Sequence, residues 1–514
     1  MFVDARSVPP GTVIETEVCI VGAGAAGITL AREFINSGFR VALLESGDVE
    51  FQDKTQDLYA GANIGRRYFD PKDVGLRLRY FGGTTNHWGG WCALPDPLDF
   101  EEREGVPHTG WPFSRDYLEP WYRRAQTVLQ LGPYGYAPAD WGITSADIPQ
   151  PFKGPHFVCQ VLQVSTPTRF GPEYGPELRQ APRVTVYLNA SALRFETSES
   201  NNTVQGLAVG VLPGHRLSVR ARVYVLATGG IENARLLLLS GKEGANGLGN
   251  EHDLVGRFFM CHLEYPGGII LLADPFANLN FNTGEEGANF EVSGVPRKFV
   301  SYICLSDESR RELRLPNLRI LFETPILHGI DRRGDLLRDL RSAMHAIDGG
   351  GASRVRKAQL EQMVPTTTIP VHCSSEQMPN PDSRIALGKA TDAFGSRTVT
   401  VNWQLTERDW QGVVAGHRLL GAEIGRAGFG RFQSSASGFM WPFRMFGNQH
   451  NIGTTRMDRD ARFGVVNENC RVHGVANLYV AGSSVFPTEG TANPTLTIVA
   501  LALRLADHIK ERMK

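Results

Sequence analysis

A glycine-rich turn near the start of the chain constrains its fold more than any other segment. Residues 17–21 have the composition of a short buried strand, and Gly22-Ala-Gly24-Ala25-Ala26-Gly27 follows directly. Residues 28–36 then carry apolar positions at helical spacing, and 39–44 predict a second strand that ends at Glu45. A strand, a glycine turn, a helix and an acidic residue about 20 positions on form a dinucleotide-binding unit. We therefore expect an α/β fold that places a pyrophosphate at the helix N-terminus and a ribose hydroxyl on Glu45.

A second strand and turn indicate which dinucleotide is bound. Residues 223–226 predict a buried strand, which ends in Ala227-Thr228-Gly229 before a helix at 231–239. Flavoproteins of the glutathione reductase type have such a returning strand near the adenosine half of FAD, whereas a nicotinamide dehydrogenase does not need it. The sequence has no second complete glycine unit of the kind that two-dinucleotide reductases carry. The pattern favours FAD bound alone, and Glu45 in place of an arginine argues against a 2′-phosphate.

His450 and Asn493 are the candidate catalytic residues. Oxidation of an alcohol by a flavin needs a group that takes the hydroxyl proton and a clear line for hydride to the flavin N5. A neutral imidazole suits the first task, and an amide donor can hold the hydroxyl oxygen. Each residue also has a simpler explanation. Asn493 before Pro494 is a good helix N-cap, and His450 could be a polar loop residue.

Several blocks of the sequence resemble the glucose-methanol-choline (GMC) family of FAD-dependent oxidoreductases. Three of them are most similar to pyranose oxidases and to bacterial sugar or glucoside dehydrogenases: the His450 and Asn493 pair, the loop Gly-Gly-Thr-Thr-Asn-His-Trp-Gly-Gly at 82–90, and the C-terminal block at 474–505. Between about 265 and 370 the resemblance is thin. It implies an enzyme that oxidises a hydroxyl of a sugar, glycoside or related polyol to the carbonyl. His450 would accept the proton and Asn493 would hold the oxygen.

The resemblance also implies an α/β architecture, α+β overall, with two domains. A Rossmann-like FAD-binding domain of the glutathione reductase type would consist of residues 1–100, 181–262 and 440–514. A substrate-binding domain, with an antiparallel sheet flanked by helices, would consist of 101–180 and 263–439. A chain of 514 residues exceeds what one hydrophobic core usually supports, which agrees with two domains.

The motifs and the resemblance together define a predicted FAD site. We expect contacts from Gly22, Gly24, Ala25, Ala26, Gly27, Glu45, Ser46, Gly83, Thr84, Asn86, His87, Trp88, Gly89, Ala192, Ala227, Thr228, Gly229, Ser483, Asn493, Pro494 and Thr495. The N-terminus of the last helix would stabilise negative charge on the reduced flavin. In pyranose oxidases the histidine of the matching His-Trp motif is bonded covalently to the flavin. Because Asn86 stands where those enzymes typically have threonine, His87 either forms that bond or packs beside the ring.

Other substrates and reactions stay open at this point. Gln377 is a candidate contact to a substrate hydroxyl, and the alternative for its segment is a turn capped by Asn380 and Asp382. The runner-up substrates are choline and aliphatic or aryl alcohols, and a flavin-retaining lyase is a further alternative. Oxygen, a quinone or a partner protein could accept the electrons.

Composition excludes several classes of partner. The formal net charge of −1 gives no general attraction to nucleic acid or to membranes. There is no apolar span of about 18 residues, so we expect no integral membrane segment. The first strand begins by residue 17 and leaves no room for a secretory signal, which predicts a cytoplasmic protein. The seven cysteines are too scattered to hold zinc or an iron-sulfur cluster, and we expect no metal. The basic segment at 331–357 suggests a solvated helical face or, less strongly, a docking surface for an electron acceptor.

Overall fold

A computed structural model describes residues 1–66, 68–166, 168–242, 246–274, 277, 287–292, 295–323, 326–328, 366–436 and 445–514. The basic segment at 331–357 lies outside these residues. In the described part of the chain no helix is long and apolar enough to cross a membrane, and no cluster of His, Cys, Asp and Glu could hold a metal ion.

The described residues form twenty-three strands and eight α-helices, numbered in chain order. The strands are β1 (Phe2–Asp4), β2 (Val13–Glu15), β3 (Val18–Val21), β4 (Val41–Leu44), β5 (Gly61–Asn63), β6 (Trp91–Cys92), β7 (Phe157–Val164), β8 (Val184–Leu188), β9 (Ser191–Thr197), β10 (Val204–Val211), β11 (His215–Arg220), β12 (Val223–Leu226), β13 (Leu263–Leu272), β14 (Ala288–Val292), β15 (Val295–Leu305), β16 (Leu318–Phe322), β17 (Ile326–His328), β18 (Thr366–Ser375), β19 (Arg384–Thr391), β20 (Arg397–Asn402), β21 (Gly430–Ser434), β22 (Phe446–Gly447) and β23 (Leu478–Val480). The helices are α1 (Ala25–Glu33), α2 (Asp53–Gln56), α3 (Glu119–Val128), α4 (Phe170–Gln180), α5 (Gly229–Leu238), α6 (Asp307–Leu313), α7 (Glu407–Arg426) and α8 (Thr495–Met513).

A six-stranded parallel sheet contains the predicted dinucleotide unit. Its strand order is β1-β8-β4-β3-β12-β23, and every neighbouring pair is parallel. The four residues of β3 and of β4 are all buried, as expected for strands whose two faces are covered. The glycine turn joins β3 to α1, and a second turn joins β12 to α5. This arrangement confirms the predicted Rossmann-like fold.

The largest sheet has ten strands and is antiparallel. Its main path is β21-β13-β18-β16-β15-β7-β6, with β14, β17 and β22 attached to it. The long helix α7 packs against β21 at its edge. The sheet takes most of its strands from 101–180 and 263–439, whereas all strands of the parallel sheet come from 1–100, 181–262 and 440–514. The sheet confirms the predicted fold class; the division into two domains stays a prediction.

Backbone pairing outside the long strands brings the C-terminal block to the start of β13. The amide and carbonyl groups of Met260 and Ile452 exchange two hydrogen bonds, of 3.0 and 3.1 Å. The Asn448 amide donates to the His262 carbonyl at 2.8 Å. The loop at 448–451 is therefore held beside residues 260–262, about 190 positions earlier in the chain.

Candidate active site

A cavity of about 650 Å³ opens at the carboxyl ends of the parallel strands. This is the edge at which open α/β sheets bind their ligands. The cavity is lined by the glycine turn after β3 and by Glu45 and Ser46 after β4. It is also lined by the His-Trp loop, residues 82–90, by His450 and by the start of α8. The single cavity thus joins the predicted cofactor residues to the predicted catalytic pair.

The glycine turn is fixed by close approaches that a side chain would block. Gly22 has a φ of +101°, and a Cβ on it would lie 2.6 Å from the Ala227 carbonyl oxygen. A Cβ on Gly27 would lie 1.8 Å from the Gly22 carbonyl oxygen. Gly27 therefore lets α1 pack against the turn and does not itself line the cavity. Gly24, in contrast, lines the cavity, and a Cβ on it would meet no atom within 4 Å.

Glu45 is buried and holds the turn against β4. One carboxylate oxygen accepts from the Ala23 amide and the other from the Gly47 amide, both at 2.9 Å. The carboxylate also lines the cavity. Each oxygen keeps a second lone pair, so Glu45 can still accept a ribose hydroxyl.

Nearly all of the predicted cofactor residues line this one cavity. Those that line the cavity are Gly22, Gly24, Ala25, Ala26, Glu45, Ser46, Gly83, Thr84, His87, Trp88, Gly89, Ala192, Ala227, Thr228, Gly229, Ser483, Asn493, Pro494 and Thr495. Arg79, which the sequence did not indicate, lines it too. Its Nε donates to the Ser46 hydroxyl at 2.6 Å, while its buried Nη1 makes no hydrogen bond to the protein and lies 3.7 Å from the Glu232 carboxylate. A buried cationic donor of this kind suits a phosphate or ribose oxygen of FAD.

The His-Trp loop, residues 82–90, lines the cavity with His87 but not with Asn86. Asn86 points away from it, because its Nδ2 donates to the Phe81 carbonyl at 2.8 Å. His87 lines the cavity, and Trp88 is fixed beside it by a 3.0 Å bond from Nε1 to the Thr168 carbonyl. The position of His87 is compatible with contact to FAD; a covalent bond stays a prediction.

His450 and Asn493 lie together at the cavity wall. The Nδ2 of Asn493 is 3.5 Å from the Nε2 of His450. The Oδ1 of Asn493 accepts from the Arg319 Nη1 at 2.9 Å. Helix α8 begins at Thr495, with Pro494 at its cap and no side-chain capping bond. The N-cap explanation of Asn493 is therefore wrong, since the amide is used in the cavity and not on the helix.

Burial lowers the pKa of His450 to about 4, and the nearby Arg319 guanidinium acts in the same direction while Glu264 opposes it. The His450 imidazole is consequently neutral at physiological pH. A neutral imidazole at a cavity is the form that a general base requires.

Three ionisable residues next to the pair were not identified from the sequence: His262, Glu264 and Arg319. His262 is fully buried, and its Nδ1 lies 2.7 Å from the Nδ1 of His450. Glu264 accepts from Asn448 at 2.8 Å and bonds His372 at 2.7 Å, and its Oε1 lies 3.6 Å from the Arg319 guanidinium. A histidine and a glutamate inside the apolar run 258–265 were the available signal, because ionisable residues in a buried strand need partners.

Gln377 is not brought to the cavity. Its side chain is fully buried, with Oε1 accepting from the Cys261 amide at 3.1 Å and from the Trp403 indole at 2.9 Å. Its Nε2 donates to the Gln404 carbonyl. The prediction that Gln377 contacts a substrate is therefore corrected: all its polar atoms are used in the core. The alternative of a capped turn is seen, since Asn380 Oδ1 accepts from the Asp382 amide at 3.0 Å.

Comparisons with known proteins agree with this architecture. Residues 379–502 match the family model described as GMC oxidoreductase, and residues 17–244 match the model described as FAD dependent oxidoreductase. The chain is 24% identical to the fructose dehydrogenase large subunit of Gluconobacter japonicus, over 98% of this chain and 99% of that protein. It is 26% identical to the 6'''-hydroxyparomomycin C oxidase of Streptomyces lividus, over 98% and 93%.

Among solved structures, the pyridoxine 4-oxidase from Mesorbium loti has the same fold. The TM-score is 0.57 at 16% identity, over 96% of this chain and 99% of that chain. The two family models fall on the dinucleotide unit and on the block that carries His450 and Asn493. The chain is therefore an FAD-dependent oxidoreductase, and its C-terminal block is similar to that of the GMC oxidoreductases.

Proposed function

We propose that this enzyme oxidises a hydroxyl group of a sugar, glycoside or related polyol to the carbonyl. The observation that carries the proposal is the neutral His450 imidazole facing the Asn493 amide across 3.5 Å at the cavity wall. A substrate hydroxyl in the cavity that contacts both side chains gives its proton to His450 Nε2, while Asn493 Nδ2 donates to its oxygen. FAD, when bound, accepts the hydride from the alcohol carbon.

The fixed orientation of Asn493 supports its part in this reaction. Arginine can only donate hydrogen bonds, so the Asn493 atom that it contacts must be the carbonyl oxygen. The NH₂ group is then turned towards His450 and the cavity. Asn493 can therefore hold the hydroxyl oxygen without competing for its proton.

The start of α8 supports the assignment of the flavin end. Pro494 and Thr495 line the cavity, and the first amide groups of a helix have no partner within it. The positive end of this 19-residue helix favours negative charge on a ligand beside it. Its last turn carries Lys510 and Arg512, which suit the negative end.

Two observations support the choice of a carbohydrate. The sequence relatives named above act, by their names, on fructose and on 6'''-hydroxyparomomycin C, both of which are polyhydroxylated. Trp88 and Trp91 line the cavity, and aromatic rings offer the apolar faces that pack against a sugar ring. Oxygen, a quinone or a partner protein then takes the electrons from the reduced enzyme.

Anaerobic mixing of the holoenzyme with a panel of alcohols tests the substrate class. The panel contains D-glucose, D-fructose, methyl β-D-glucopyranoside, paromamine, choline and ethanol. We expect at least one carbohydrate to bleach the flavin absorption and to yield the corresponding carbonyl compound. Bleaching by choline or ethanol alone would contradict the substrate class. Conversion of an alcohol without bleaching would contradict oxidation altogether and indicate a lyase.

The variant His450→Ala tests the proposed base. It should retain FAD but reduce it about a hundredfold more slowly, because the positioned proton acceptor is gone. His156→Ala is the matched control, since His156 is also half-buried but bonds Ser309 outside the cavity. Flavin reduction at the wild-type rate in His450→Ala would refute the role of His450.

A further inference from the structure

We propose that His262 is a positioning residue that keeps His450 in the tautomer whose Nε2 lone pair faces the cavity. This inference rests on the proposed role of His450 as the base. The two Nδ1 atoms are 2.7 Å apart, and the two rings are nearly perpendicular, at 88°. At this distance one Nδ1 carries the hydrogen and the other accepts it.

Arg319 determines which of the two histidines is the donor. Arginine can only donate hydrogen bonds, so Arg319 donates to the Oδ1 of Asn493. The NH₂ group of Asn493 therefore faces the Nε2 of His450. A nitrogen that faces an NH₂ group must be the acceptor, so the hydrogen of neutral His450 is on Nδ1. His262 Nδ1 is then the acceptor, and the hydrogen of His262 is on Nε2.

The backbone enforces the separation of the two rings. Asn448 donates to the His262 carbonyl, and Met260 and Ile452 pair through two hydrogen bonds. His262 and His450 are thus carried by two paired segments, and His262 is fully buried. Turning either ring away would break the 2.7 Å hydrogen bond between the two Nδ1 atoms, which is costly at a buried site.

The positioning has a chemical consequence because a free histidine side chain prefers its hydrogen on Nε2. That tautomer would point an N–H at Asn493 and at the substrate hydroxyl, and it could not accept a proton there. His262 reverses the preference by accepting from Nδ1. After His450 takes a proton at Nε2, its Nδ1–H still donates to His262 as a charge-assisted bond.

The electrostatics keep His262 in the accepting form. Burial lowers the pKa of His262 well below its ordinary value, and the neighbouring His450 and Arg319 lower it further. A proton on His262 Nδ1 would also place two hydrogens in the 2.7 Å gap. The pair therefore carries at most one positive charge, and it is on His450.

Two variants of His262 separate positioning from packing. Asparagine has its Oδ1 where the imidazole has Nδ1 and can still accept from His450, whereas leucine fills the same space without an acceptor. We expect His262→Leu to lower the limiting rate of anaerobic flavin reduction about ten- to a hundredfold at unchanged FAD content. His262→Asn should stay within about threefold of the wild type. The reductant is the panel alcohol that bleaches the wild-type enzyme fastest.

The tautomer itself gives a readout that does not depend on catalysis. With ¹⁵N-labelled histidine, long-range proton–nitrogen correlation spectra should show His450 with hydrogen on Nδ1 in the wild type and in His262→Asn. In His262→Leu the hydrogen should move to Nε2. The His450 signals are identified by their loss in His450→Ala. His417→Leu is the control, because His417 is a buried histidine bonded through Nδ1 to Ser434 at 2.6 Å, away from the cavity.

The outcomes distinguish this inference from the proposed function. An unchanged His450 tautomer and a wild-type reduction rate in His262→Leu would overturn the positioning role. A change in His450 tautomer or reduction rate in the control His417→Leu would also overturn it, because any loss of packing would then suffice. A tautomer change in His262→Leu, together with wild-type flavin reduction in His450→Ala, would support the positioning and contradict only the base.

Discussion

At the scale of single residues, the lowered pKa of His450 sets the pH range of the reaction. The base is the neutral imidazole, which persists until the pH falls to its pKa of about 4. We therefore expect the second-order rate constant for anaerobic flavin reduction to be constant around neutral pH. It should fall tenfold per pH unit only below about pH 4. Rapid pH jumps in a stopped-flow instrument give this profile, and a decline centred near 6.5, the ordinary pKa of histidine, would contradict the argument.

The catalytic pair could be predicted from the sequence because each member has a local context. His450 and Asn493 lie in one C-terminal block whose spacing resembles a known family. Arg319, His262 and Glu264 have no such context, since Arg319 reaches Asn493 from 174 positions away. Gln377 shows the opposite error. A polar residue in a matching motif suggested a substrate contact. In the structure, the Cys261 amide and the Trp403 indole donate to its side-chain oxygen in the core.

At the scale of elements, the packing of α1 on the glycine turn requires a residue without a Cβ at position 27, and this requirement can be tested. A Cβ there would overlap the Gly22 carbonyl oxygen at 1.8 Å, and this oxygen belongs to the backbone and cannot move aside as a flexible side chain could. Gly27→Ala should displace α1 from the turn and weaken FAD binding at least tenfold, because the helix N-terminus no longer meets the pyrophosphate. The dissociation constant of FAD, measured by fluorescence titration of the apoprotein, checks this.

Gly425→Ala supplies the matched control for Gly27→Ala. Gly425 is also a helical glycine, in α7, but it is exposed and its Cβ would meet nothing. This change should leave FAD binding unaltered and stabilise the helix by up to about 1 kcal/mol. Equal FAD affinities in the two variants would show that the close approach at Gly27 is not needed.

The predicted elements of the dinucleotide unit agree with the structure to within a few residues. Strands at 17–21 and 39–44 were expected and are found as Val18–Val21 and Val41–Leu44. The expected helix at 28–36 is Ala25–Glu33. These elements are set by local apolar patterns and by glycine. The pairing of 260–262 with 448–452 could not be predicted, because it joins distant segments without a repeating pattern.

At the scale of the whole molecule, buried acids from distant segments meet in the core. Glu376 is fully buried and bonds Arg103 at 2.6 Å, and Arg310 lies 3.6 Å from it. Burial raises the pKa of Asp99 to about 7 and that of Asp409 to about 6, in each case more than their partners lower it. Such groups couple folding to pH, and neutral buried acids act in the direction opposite to buried neutral histidines.

Glu489 gives the clearest prediction of this coupling. Its Oε1 accepts from the Gln377 amide at 2.6 Å, and its buried Oε2 makes no hydrogen bond within the protein. Burial raises its pKa well above the ordinary 4.5, so the folded protein keeps a proton that the unfolded chain releases. The contribution of Glu489 to stability therefore falls as the pH rises above about 4.5, by up to about 1.4 kcal/mol per unit, until the folded-state pKa is reached.

Glu489→Gln replaces the acid by a neutral group of the same shape and should remove this dependence. The free energy of unfolding of Glu489→Gln, relative to the wild type, is expected to increase from about pH 5 to about pH 8. Urea unfolding of both holoenzymes at several pH values measures the difference. Glu104→Gln is the control, since the Glu104 side chain is 90% exposed and its pairing with Arg314 contributes little to stability. A difference between Glu489→Gln and the wild type that does not change with pH would mean that Glu489 is ionised in the folded enzyme.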